Sequence, residues 1–91
     1  MVNAVHIDDS DSCVMVTADI KKGETVEFRA GGELRSVTAS SDIPIYHKAA
    51  VIPVKKGGFV YKYGEKIGVA TCDIQPGDHV HLHNIEPVDH R

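Results

Sequence analysis

A chain of 91 residues with a net charge of −3 and a pI near 6 is expected to form one domain over residues 1–91, and its charge has the wrong sign to hold nucleic acid or an anionic membrane. With 42% hydrophobic residues, no tryptophan and only 5% aromatics, the core must be built from Val, Ile, Ala and Leu, a β-leaning set, and at this length any pocket is shallow or shared with another chain. The amino terminus has no basic and apolar leader, and no apolar run approaches the ~18 residues of a membrane span, so a soluble, cytoplasmic protein is expected.

In chain order, residues 2–7 read as a first, mostly buried strand. The acidic run Asp8-Asp9-Ser10-Asp11-Ser12 then turns the chain. Three aspartates suggest calcium, but the glycine and distal glutamate of a calcium loop are missing, and a hairpin turn fits better. Residues 13–17 return as a second strand. Cys13 and Cys72 lack C-x-x-C spacing and are expected to be small buried hydrophobes, as suits a reducing compartment.

A phrase then recurs three times: Ile20-Lys21-Lys22-Gly23 with Val26, Val54-Lys55-Lys56-Gly57 with Val60, and Ile74-Gln75-Pro76-Gly77 with Val80. Each copy predicts a tight turn whose glycine takes positive φ, with the flanking aliphatics tucked inward. Three such corners with strands between them describe an all-β, barrel-like fold with little or no helix. Between the first two copies, Thr25 to Arg29 and Leu34 to Ala39 form a hairpin around Ala30-Gly31-Gly32-Glu33. Pro44 confines the start of Ile43 to Ala50 to an edge or loop, because it cannot donate to a ladder. Phe59 to Tyr63 and Ile67 to Thr71 form another hairpin, with Gly68 a bulge or a close backbone approach. Lys48, Lys55, Lys56, Lys62 and Lys66 crowd the middle of the chain, where they could attract a carboxylate or simply be solvated surface.

The most chemical stretch is His79-Val80-His81-Leu82-His83-Asn84. Period two predicts a strand with imidazoles on one face and Val80 and Leu82 on the other. His81 and His83 would then stand about 6.6 Å apart, close enough to share one divalent metal or one anionic group. A polar, solvent-facing edge is the plainer alternative. The tail, residues 85–91, is expected to leave the last strand and fray.

Three phrases carry a resemblance: Ile43-Pro44 with His47-Lys48; Lys62-Tyr63-Gly64 with Ile67-Gly68; and Gly77 with Val80-His81 and His83-Asn84. Together they resemble the amino-terminal domain of the altronate and galactarate dehydratase family, a SAF domain with a β-clip fold, most tightly over about residues 43–85. In such relatives the domain is fused to a large catalytic region or made as a separate small subunit, as in sulfolactate sulfo-lyase. A chain running from Met1 to Arg91 looks like the separate kind, or equally an excised domain. Tyr46 departs from the family phrase, in which glycine commonly precedes the His-Lys pair. Pro53 and Gly58 replace an aspartate and an acidic residue, which weakens side-chain capping of the second turn.

The resemblance implies β-elimination of water from a sugar acid. Such a reaction needs a base and a positive group to hold the developing enediolate, a role for Fe²⁺ or another divalent metal. On that reading His81 and His83 are the metal candidates, and His79, Tyr63 and Asn84 are candidates for substrate contact. His47 and Lys48 are candidates for proton transfer or carboxylate binding. Asn84 could equally close a turn, and Tyr63 could fill a hairpin face. For Gly64 and Gly68 only backbone geometry is claimed. The histidine face is expected to be one wall of a site completed by a large dehydratase subunit, and assembly with further copies of this chain stays open. A sulfo-lyase subunit and a non-catalytic SAF binding module are the alternatives.

Overall fold

The computed structural model describes residues 1–88. Those residues form nine short strands and no helix: β1 (Ala4–Val5), β2 (Cys13–Val16), β3 (Thr25–Ala30), β4 (Glu33–Thr38), β5 (Lys48–Ala50), β6 (Phe59–Lys62), β7 (Glu65–Ala70), β8 (His79–Val80) and β9 (Ile85–Glu86). An antiparallel sheet runs in the order β1-β2-β5-β8, flanked by the β3-β4 ribbon and by a three-stranded sheet β6-β7-β9. The all-β, multi-cornered fold expected from the sequence is therefore present. Two aliphatic clusters fill it. One gathers Val14, Val16, Ile20, Val26, Phe28, Ile43 and Ala49, and the other Cys13, Ala50, Val54, Val60, Ala70, Ile74 and Val80.

The repeated phrase builds the corners as expected. Gly23, Gly57 and Gly77 all take positive φ, at 89°, 86° and 95°, and the aliphatic residues flanking each glycine are buried. A fourth corner, not legible in the sequence, has the same construction at Ile43-Pro44-Ile45-Tyr46. In all four, a β-turn closes through an N–H donated three residues back: Glu24 to Lys21, His47 to Pro44, Gly58 to Lys55 and Asp78 to Gln75. The residue with positive φ also donates to a buried residue in or next to a strand, which donates in return to the next carbonyl. Those partners are Ala39 for Gly23, Val16 for Tyr46, Ala70 for Gly57 and Ala50 for Gly77. The corners pair as Ile20 with Ile43 and Val54 with Ile74. The domain is thus an internal duplication, in which Val16, Ile20 and Gly23 correspond to Ala50, Val54 and Gly57, and Ala39, Ile43 and Tyr46 correspond to Ala70, Ile74 and Gly77.

Side-chain capping follows the same scheme. Asp42 accepts from Lys22 N–H, Asp19 from Ile45 N–H and Asp73 from Lys56 N–H. The fourth place, where an aspartate would serve residue 76, holds Pro53. Residue 76 is itself a proline and has no N–H to serve, so the missing aspartate leaves no orphan donor.

Some expectations are corrected, and those for Cys13, the 8–12 turn and Gly68 are met. The first strand spans only Ala4–Val5. The predicted strand over residues 79–84 ends at Val80; residues 81–84 form a turn, and Leu82 is 80% exposed rather than core-facing. The physical reason is Asn84, whose side chain accepts from His81 N–H and donates to the His79 carbonyl, folding the chain back on itself. Cys13 is buried but Cys72 is exposed, and both are free thiols. Burial pushes the Cys13 thiol up to about 12, so it packs as a small hydrophobe. The 8–12 segment is a turn held by its own aspartates: Asp8 accepts from Ser10, and Asp11 from Asp8 N–H and Gly64 N–H. Gly68 marks a close approach, since a Cβ there would lie 3.1 Å from the Glu86 carbonyl oxygen. Of the tail expected to fray, residues 89–91 lie outside the described residues.

Candidate functional site

The fourth corner departs from the other three at each variable position. In two of them the residue after the glycine carries an acid that caps the backbone three residues back: Glu24 accepts from Lys21 N–H and Asp78 from Gln75 N–H. The equivalent of that acid is His47, and the N–H it would cap belongs to Pro44, which has none. Freed from that duty, the His47 ring turns to a neighbouring strand.

There it meets the other imidazoles. Across β5 and β8, Ala49 pairs with His79 and Lys48 with Val80. His47 Nδ1 and His79 Nε2 lie 2.9 Å apart, one donating to the other. The turn closed by Asn84 brings His81 back over the same spot, its ring 4.6 Å from His47 and stacked within 7° on His79 at 5.5 Å. His83 packs its ring 5.3 Å from His79. Ligand nitrogens of His47, His79 and His81 all lie within 4.8 Å of one another. That span is close to the ~4.2 Å separating two nitrogens on opposite sides of an ion with bonds of ~2.1 Å. Among the described residues this is the one group of three or more donors with such spacing.

Electrostatics suit metal ligation. Partial burial, then the charges of His47, His83, His81 and Lys48, push His79 down from 6.5 to about 4, so its imidazole stays neutral and its lone pair remains available. Stability inherits a pH dependence from this. Between pH 6.5 and 4 the unfolded chain takes up a proton that folded His79 refuses, so the fold weakens as pH falls through that window and holds its full stability above it. His79→Gln is expected to flatten that slope, as read by urea denaturation at stepped pH.

Of the residues singled out in the sequence, the structure brings His47, His79, His81 and His83 together, with Lys48 half-buried on β5 and Asn84 beneath the turn, only 4% exposed. Asn84 shapes the turn rather than facing outward. Tyr63 is not brought to them. It follows β6 beside Asp11, before the start of β2, whereas the His47 carbonyl is bonded to Val16 N–H at the other end of that strand, about 10 Å further along it. Lys62, read among surface lysines, is instead 4% exposed, with its ammonium 3.7 Å from the Tyr63 ring centroid and no hydrogen-bond partner. The central place of His79 and the releasing effect of Pro44 were missed in the sequence. The Pro-x-Tyr-His phrase, set beside the three glycine corners, held the signal.

Tyr46 completes the departure. At φ 69° it occupies a conformation that costs a side chain roughly 1–2 kcal/mol, where the other corners use glycine, and its ring is 65% exposed. Tyr46→Gly removes that strain and adds back about 0.4–1 kcal/mol of unfolded-chain entropy. A net stabilisation on the order of 0.5–1 kcal/mol is expected, measurable as a higher denaturation midpoint.

Comparison with known proteins gives the lineage. The sequence matches the Altronate/galactarate dehydratase SAF domain over residues 2–87. It is 36% identical over 84 residues to altronate dehydratase of Bacillus subtilis and 36% identical over 80 residues to that of Escherichia coli. These matches cover 92% and 88% of this chain but only 16% and 15% of those proteins. It is also 30% identical over 84 residues to the alpha subunit of (2R)-sulfolactate sulfo-lyase of Chromohalobacter salexigens, covering 90% of this chain and 89% of that subunit. The chain belongs to the altronate/galactarate dehydratase SAF domain family.

Proposed function

We propose that this domain supplies one wall of the active site of a metal-dependent hydro-lyase acting on a sugar acid of the altronate or galactarate type. One observation carries the proposal: the one corner in which a proline, Pro44, replaces the N–H that the capping acid would serve is the one whose histidine joins an imidazole cluster. His47, His79 and His81 would hold Fe²⁺ or a similar divalent ion; neutral imidazoles suit it in number and in donor chemistry. When bound, such an ion supplies Lewis-acid stabilisation of charge developing on carboxylate and hydroxyl oxygens. Lys48 brings a cation beside the cluster for the substrate carboxylate, and His83 is placed to exchange a proton at the rim. Asn84 keeps the turn closed and so fixes the distance between His79 and His81.

The three imidazoles lie near the surface, and the core of the domain is filled with Val and Ile. A cavity of the ~300 Å³ or more that such a substrate needs therefore requires walls from a large catalytic chain. The sulfo-lyase reading, with sulfite leaving in place of water, is favoured by the near full-length match to a sulfo-lyase alpha subunit.

The test is to capture the large chain that copurifies with this one, then assay the pair on altronate, galactarate and (2R)-sulfolactate with and without added Fe²⁺. Iron-dependent release of water supports the first reading, and release of sulfite the second. A metal-free pair with no turnover on any of the three would make the domain a binding module.

A further inference from the structure

The molecule has a second unclaimed feature, far in kind from the imidazoles. β4 is hydrogen-bonded to β3 on one side only, and all its residues except Val37 are exposed. The two-residue Gly31-Gly32 loop makes Ala30 and Glu33 the closing pair of the ribbon, and Ala39 N–H donates to the Glu24 carbonyl at its other end. Both ends fix the same phase: Glu33, Arg35 and Val37 bond inward, and the N–H and C=O groups of Leu34 and Ser36 point outward. Among the described residues no segment pairs with that edge. In the duplicate half, the corresponding strand β7 carries β9 on its outer edge, with Val69 paired to Glu86 and Ala70 to Ile85. The fold thus already docks a strand at the equivalent place.

We infer that the occupant of the β4 edge is the same edge of a second copy, joined antiparallel across a twofold axis at Leu34. Three registers place outward-bonding residues opposite one another, and the side chains choose between them. Pairing Leu34 with Ser36 sets Arg35 directly against Arg35 of the partner, a repulsion. A register centred on Ser36 needs Thr38, whose carbonyl oxygen is already covered by Gly77. The register centred on Leu34 places Glu33 opposite Arg35 twice and brings the two leucines together. Leu34 is 53% exposed in the single chain. Glu33 and Arg35 already touch at 3.2 Å on one face, so the dimer would join them into a ring of four alternating charges. The partner's Gly31-Gly32 turn, having no side chains, passes beside Ser36 without obstruction. One strand pair buries less than the ~1,200 Å² of a standard interface, so the association is weak and concentration-dependent.

Sedimentation equilibrium of the full chain from micromolar to millimolar concentration tests this. A monomer–dimer equilibrium is expected. Glu33→Arg alone and Arg35→Glu alone should each weaken it about tenfold, as two attractive cross-strand pairs become repulsive. The double variant Glu33→Arg/Arg35→Glu should restore it, because the pairs are only exchanged. Both residues are exposed, so circular dichroism should report an unchanged fold in every variant. A monomer at all concentrations, a dimer indifferent to the single reversals, or a double variant that does not recover would each overturn the inference. So would loss of binding to a copurifying large chain in the single variants, which would assign the edge to that chain.

Discussion

Gly77→Ala is expected to cost at least ~3 kcal/mol and to lower the thermal midpoint by about 15 °C or more for a domain of this size. A Cβ built at Gly77 would lie 1.9 Å from the Thr38 carbonyl oxygen and 3.0 Å from its carbonyl carbon. Both atoms belong to backbone held in the β3-β4 ribbon and cannot swing aside. The positive φ adds its own penalty, and Gly77 N–H is committed to the Ala50 carbonyl. Gly57→Ala is the internal control. That glycine has nearly the same φ, but its Cβ would meet nothing within 4 Å, so only the conformational cost of about 1–2 kcal/mol applies. Equal losses in the two variants, measured by calorimetry, would show that the Gly77 approach is not the close contact described.

His79→Ala is expected to reduce affinity for a divalent ion by on the order of a hundredfold or more, since removing a ligand should exceed the 10–100-fold effect of outer-shell changes. His79 is the hub of the cluster: its ring contacts those of His47, His81 and His83, whereas the ring contact of His83 is with His79. His83→Ala should therefore leave most of the metal affinity in place. Calorimetric titration with Zn²⁺ as a redox-inert probe, run alongside Fe²⁺ under anaerobic conditions, separates the two. Equal losses from His79→Ala and His83→Ala would assign the ion to the His81 and His83 side, the pair first suggested by their spacing.

Much of this architecture was legible because its corners announce themselves. An aliphatic residue, turn formers and a glycine that must adopt positive φ leave a pattern that survives in one sequence, and three copies were read from it. The fourth was hidden because Tyr46 sits where a glycine was expected, and local propensity gives no reason to place tyrosine at positive φ. The histidine run failed differently. Alternation argued for a strand, but Asn84, four residues beyond Val80, offers backbone groups a better bargain by bonding at both His81 and His79. Convergence of the rings was thus foreseeable, while the turn that achieves it depended on a long-range decision about where β8 stops. Tyr63 and Lys62 show the same limit, since neither burial nor distance from His47 is written in their neighbours.

The proline pair at Pro53 and Pro76 has a consequence for how such a chain could have reached its present form. A chain with a donor at position 76 would use an acceptor at 53, and losing that acceptor alone would leave the amide to solvent. Acquiring the ring at 76 first makes the acceptor redundant, after which position 53 drifts without penalty. The two positions are thus coupled in one direction, and the same logic ties Pro44 to His47: with no donor at 44, the side chain across from it is at liberty to take up chemistry.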